Sequence, residues 1–183
     1  MAREELLDSA RHKLRLARYH ATALGNVLAA VPPDDPEDEL RVALEAHLEG
    51  LAYTGTAAAE KTIRSLAADE IQGQKSVEQM LVFVIRDAGL EEDDLAFARR
   101  FESWWVGRGR NSRYAQAARD LRNDAAHAFY GKTLDGPDWV MSFRNGNDQI
   151  EIGGFIQGYL DELEELEQLV GEAEALAAAE AAQ

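Results

Sequence analysis

The chain has 183 residues, 46% of them hydrophobic and 29% charged, which fits one globular domain with a real core and excludes a disordered chain. A formal charge of -15 argues against a generic nucleic-acid binder, and the absence of cysteine excludes disulfides and thiolate metal sites and fits a reducing cytoplasm. No stretch approaches the roughly 18 consecutive apolar residues of a membrane span, and the opening MAREELLDSARHKLRL has acids but no apolar segment, so no secretory signal is expected.

The first element is predicted from its period. Leu7, Ala10, Leu14, Ala17, Ala21, Leu24 and Leu28 alternate spacings of three and four, the apolar stripe of a long amphipathic helix. VPPDDPEDEL ends that helix, because proline cannot continue it, and Asp35-Pro36-Glu37 starts a second with acids in its first turn. The second helix is expected from about Pro36 to Ala68, with Leu40, Leu44, Leu48 and Leu51 inward. Gly50 and Gly55 inside it can allow close packing or a bend.

IQGQKS breaks the chain, and VEQMLVFVIRDAG, apolar nearly all round, predicts a buried third helix with a glycine stop. EEDDLAFARRFESWW predicts a fourth helix. VGRGRNS then reads as a glycine-rich turn, with Ser112 capping a fifth helix that runs to about Tyr130. In DWVMSFRNGNDQIEI the period becomes strand-like around Asn145-Gly146, the signature of a tight hairpin. A last helix from about Phe155 carries Leu160, Leu163, Leu166 or Glu167, and Val170, and residues about 172–183 are expected to fray. There is no internal repeat and no linker long enough to divide the chain. The expected fold is therefore all-α: one domain over residues 1–183, an antiparallel helical bundle of five to six helices with a small β-hairpin before the last.

The charge is uneven. Between residues 99 and 132, eight cations (Arg99, Arg100, Arg108, Arg110, Arg113, Arg119, Arg122 and Lys132) face only Glu102, Asp120 and Asp124. That leaves +5 there and -20 for the rest of a chain of -15. Such asymmetry can mark a local anion site on a repelling surface, or it can be the ordinary surface arginine of helices.

Most catalytic patterns are missing. There is no HExxH, no GxxxxGKS or GxGxxG phosphate loop, and no cysteine nucleophile. Asp124 and His127 stand three apart, as in the acid-x-x-His pairs of di-iron bundles, but no second histidine has an acid three residues before it. No metal ligand set and no cofactor are therefore expected. What remains is ARDLRNDAAHAFYGK, residues 118–132. On a helix Asn123 and His127 share a face, Arg119 lies one turn before Asn123, and Tyr130 is three beyond His127. Arg122 stands about 140° round from His127, an angle its long side chain or a frayed helix end must close. The alternative is a helix C-terminus whose His and Lys answer the helix dipole, with arginine paired to Asp120 or Asp124.

Arg, a polar residue, and His after a short gap, late in an all-helical chain, resemble the signature of HEPN domains (higher eukaryotes and prokaryotes nucleotide-binding). Arg15…His20 and Arg41…His47 share the spacing, but Leu16 and Val42 follow those arginines, whereas Asn123 follows Arg122. Several toxin members place a tyrosine two residues after the histidine; here Ala128 and Phe129 precede Tyr130. The resemblance implies a metal-independent ribonuclease, a toxin or effector of prokaryotic toxin–antitoxin or antiphage systems, with two motifs facing each other across a homodimer. It implies Arg122, Asn123 and His127 as catalytic residues. RNA contacts would come from Arg119, Tyr130, Arg108, Arg110, Arg113 and Lys132.

The residue types suit that chemistry. RNA carries its own nucleophile, the 2′-hydroxyl, and a histidine near neutral pKa can take that proton or protonate the leaving 5′-oxygen. A guanidinium can brace the phosphate oxygens, and Asn123 can fix the imidazole tautomer. A second His127 across a two-fold axis would serve as the opposite acid or base.

A HEPN-like dimerisation or nucleotide- or RNA-binding module without cleavage is the alternative function. An acidic nucleic-acid mimic fits -15 but not the +5 segment. Trp104 and Trp105 either stack bases with Arg108 and Arg110 or divide between core and interface. His12, His20 and His47 read as surface or core-edge residues. The acidic DELEELEQL reads as a solvated face that could also dock a basic partner such as an antitoxin.

Overall fold

A computed structural model describes residues 2–30, 38–71, 73, 75–111, 134–135, 140–142 and 149–182. Five helices carry the fold among them: α1 (Arg3–Ala30), α2 (Asp38–Ser65), α3 (Val77–Arg86), α4 (Glu92–Asn111) and α5 (Ile152–Ala181). None of the described helices is long and apolar enough to cross a membrane.

The expected stripe of α1 is the buried one. Leu7, Ala10, Leu14, Ala17, Ala21 and Leu24 are in the core, and Leu28 packs at its edge. Small alanines alternating with leucines let α2 come close, with Leu44, Leu48, Leu51 and Ile63 filling the space between. Contacts at both ends fix the direction: His20 meets His47, and Lys13 stands over the ring of Tyr53, so α1 and α2 run antiparallel. The long apolar burial, rather than intrinsic propensity, stabilises helices of this length.

Both glycines inside α2 mark close approach. A Cβ at Gly50 would collide with the His20 ring, and one at Gly55 would collide with the Tyr159 hydroxyl. Buried hydroxyls on the same helix return their protons to its own carbonyls: Thr62 Oγ1 donates to Ala58 O at 2.9 Å and Ser65 Oγ to Thr62 O at 2.7 Å. Arg64 then ties down the chain that follows, donating to Ile71 O at 2.9 Å and Gly73 O at 3.0 Å. Gly73 takes φ 74°, the left-handed turn that lets the chain reverse.

α3 opens on a capping box. Gln79 N donates to Ser76 Oγ at 3.2 Å, and Ser76 N donates to Gln79 Oε1 at 3.1 Å, satisfying two of the helix's free amides. The helix is one-sided rather than buried all round: Val77, Met80, Leu81 and Val84 face the core, while Val82 is exposed. Gly89, at φ 63°, supplies the expected stop.

α4 differs from expectation. The segment VGRGRN continues the helix to Asn111 instead of forming a turn. Each glycine there costs only about 1 kcal/mol relative to alanine, and Phe97, Ala98, Phe101 and Trp105 anchor the preceding turns in the core. The fifth helix expected from Ser112 to Tyr130 lies outside the described residues.

α5 is longer at both ends than predicted, starting at Ile152 and reaching Ala181. The expected frayed tail is helical to Ala181, with Ala173 and Ala177 buried. Salt bridges hold it across its length: Arg18 to Glu167 at 2.6 Å, Arg11 to Glu174 at 2.6 Å and Arg3 to Glu180 at 2.8 Å. That ladder runs down α1 as it runs up α5, so the two are antiparallel. Arg100 of α4 meets Glu172 at 2.9 Å. The acidic helix is thus solvated only in part: Asp161, Glu164 and Glu165 are exposed, while Glu167, Glu172, Glu174 and Glu180 answer arginines.

Before α5 the backbone runs through β1 (Leu134–Asp135), β2 (Val140–Ser142) and β3 (Gln149–Glu151), paired antiparallel in the order β1-β2-β3. Met141 faces Ile150 in the register of β2 and β3. The Asn145-Gly146 turn lies outside the described residues.

Candidate functional site

The +5 segment begins on α4. Arg108 and Arg110 fall on its last turns, in helix rather than in the expected loop. Arg113, Arg119, Arg122, Asn123, His127, Tyr130 and Lys132 lie outside the described residues, in the stretch that joins α4 to β1. Of the segment's cations with described side chains, Arg100 is engaged by Glu172 and its guanidinium lies over the Phe97 ring, 6.0 Å from the centroid. Here the ordinary reading of a surface arginine holds.

The tryptophan pair divides as a core residue and a rim residue. Trp105 is 4% exposed, and its Nε1 donates to Glu78 Oε1 at 2.8 Å, clamping α4 to the first turn of α3. Its face is therefore closed to a stacked base. Trp104 is half-buried and meets Phe101 edge-on, with centroids 5.3 Å apart.

A side-chain cluster that the linear sequence did not bring together lies on the α1–α2 seam. His20 and His47 point Nδ1 at Nδ1 across 3.1 Å. At that distance one nitrogen must carry the proton and the other must accept it. Both rings are half-buried, and the Tyr19 ring meets each of them edge-on at 5.6 and 6.3 Å between centroids. The seat exists because residue 50 has no side chain: any Cβ there would occupy the space of the His20 imidazole. Burial, and then the charge of His47, push the His20 pKa below its ordinary value. The signal in the sequence was small: one histidine at the edge of the α1 stripe, and a glycine three residues after the other.

Among the described residues no group of three or more His, Asp and Glu side chains gathers as a metal-binding cluster. No family model, curated protein or solved structure matches the chain.

Proposed function

We propose that the protein is a metal-independent endoribonuclease of a prokaryotic toxin–antitoxin or antiphage system, with Arg122, Asn123 and His127 as its catalytic residues. One observation carries the choice among the three Arg…His spacings. His20 and His47, the histidines of the other two copies, are spent on each other in the seam between α1 and α2. Arg122…His127 is the copy with a polar residue after the arginine, and it follows α4 and precedes the closing helix, as the resemblance to HEPN domains leads one to expect.

In this reading His127 takes the proton of the RNA 2′-hydroxyl, whose oxygen attacks the adjacent phosphorus. The 5′-oxygen leaves with a proton, and one product ends in a 2′,3′-cyclic phosphate. Arg122, aided by Arg119, answers the charge that builds on the phosphate oxygens. Asn123 sets the His127 tautomer. A homodimer supplies the opposing His127, and the exposed acids of α5 are a surface for a basic antitoxin. A hairpin at Asn145-Gly146, a single domain and a cytoplasmic setting complete the proposal.

The purified chain should cleave RNA, and Arg122→Ala and His127→Ala should each lower the rate at least about a hundredfold with unchanged helical circular dichroism. His20→Ala and His47→Ala should retain cleavage. Equal loss in all four would remove the assignment. RNA binding without cleavage would favour the non-catalytic module.

A further inference from the structure

We infer that His20 and His47 form a surface site for a divalent transition-metal ion of the copper, nickel or zinc kind. This inference does not depend on the proposed ribonuclease motif.

The two Nδ1 atoms stand 3.1 Å apart, and the ring centroids are 5.5 Å apart. That centroid distance is close to what two imidazoles give when their nitrogens aim at each other, so both atoms are directed into the same small space. An ion held about 2.0–2.1 Å from each nitrogen, at their present separation, would subtend an angle of about 100° between them. This falls between square-planar and tetrahedral coordination; because the nitrogens now aim at each other, each ring must turn by about 40° off their common line to direct its lone pair at the ion. The bridging proton and the ion compete for one place, because each needs a lone pair that the other occupies.

The surroundings favour the ion. The rings sit on two long helices packed through a shared core, so the bite is set by the α1–α2 register and not by a loop. Gly50 leaves the His20 ring its seat. Both rings are half-buried, which leaves the outer coordination positions open to water. Imidazole pairs prefer borderline metals, with copper above nickel, and select poorly for magnesium or calcium. Two protein ligands make this a weaker site than the three- or four-ligand centres of metalloenzymes, suited to sensing or stabilisation.

The test is calorimetric titration of tag-free protein with nickel chloride, then copper chloride, at pH 7.5. One ion per chain should bind at the pair, copper more tightly than nickel, with magnesium showing no competing heat. His20→Ala and His47→Ala should each weaken binding at least tenfold, whereas His12→Ala and His127→Ala should not. Lowering the pH to 5.5 should weaken the wild-type site. Should either alanine variant lose helical circular dichroism, His20→Asn or His47→Asn, which keep a polar group at the seam, replaces it. Binding unchanged by the seam variants, or lost with His12 or His127 instead, would overturn the site and leave a hydrogen-bonded pair only.

Discussion

The hydroxyl of Tyr159 in α5 occupies the space that a side chain on residue 55 of α2 would need. Tyr159 is fully buried and stacked on Phe155, at 5.6 Å and 9° between ring planes, so it cannot swing away. An alanine at position 55 would gain about 1 kcal/mol of helix propensity over glycine. Overpacking of a closed core costs about 1–3 kcal/mol, and with so deep an overlap it should win. Gly55→Ala is expected to lower stability by about 1–2 kcal/mol in urea unfolding. In a Tyr159→Phe background the same change should cost less. An equal cost in both backgrounds would show that the hydroxyl is not the obstacle.

Arg3 ties three helices at one end of the bundle. Its two terminal nitrogens meet Asp94 of α4 at 3.0 and 2.7 Å, and Nη1 also meets Glu180 of α5 at 2.8 Å. Burial alone would lower the pKa of Arg3; its bonds and charge contacts to Asp94 and then Glu180 outweigh that and hold the pKa above the ordinary value. Asp94 is 5% exposed, so Asp94→Ala leaves a guanidinium poorly paired in a closed place and should cost about 3 kcal/mol. Glu180 is half exposed, and Glu180→Gln should cost less than about 1 kcal/mol. Chemical denaturation of the two variants side by side checks the order.

The seam histidines give stability a pH dependence with a definite sign. The folded pKa of His20 lies below its ordinary 6.5, first because of burial and then because of His47. Protonation therefore favours the unfolded chain. The contribution is fully present above about pH 6.5 and is lost as pH falls through the lowered folded value. Urea midpoints should fall between pH 7.5 and 5.5, and the fall should be smaller in His20→Asn. The ring of Tyr19 meets both imidazoles edge-on.

What the sequence reveals depends on how local the deciding interactions are. The α1 face was legible because seven apolar residues at helical spacing leave one solution, and the structure buries that face. The α3 stop was legible as Gly89, since such a signal acts within one turn, whereas IQGQKS read only as a break and the Ser76 capping box emerged from the structure. The end of α4 was not. Gly107 and Gly109 look like punctuation, yet the anchored turns before them carry the helix on to Asn111. The end of α5 failed for the opposite reason. Its alanine and glutamate look like a solvated tail until the arginines of α1 and α4, more than 70 positions away, come to meet them. The His20–His47 contact, 27 positions apart, depends on helix register and could not be read from spacing. The Arg122, Asn123 and His127 pattern was legible as residue types alone, and it lies outside the described residues.

The most direct test of the proposed activity uses two RNA oligonucleotides that differ by one oxygen. One is all ribose, and the other carries 2′-deoxyribose only at the nucleotide where the wild-type protein cuts. Both are incubated with the protein in excess EDTA. If the 2′-hydroxyl attacks with His127 as its base, the ribose strand is cut and leaves a 2′,3′-cyclic phosphate, while the substituted strand resists at that position. The rate should also fall below about pH 6, as a histidine of ordinary pKa takes up its proton. Equal cleavage of both strands, or cleavage that stops in EDTA and returns with magnesium, would contradict the account.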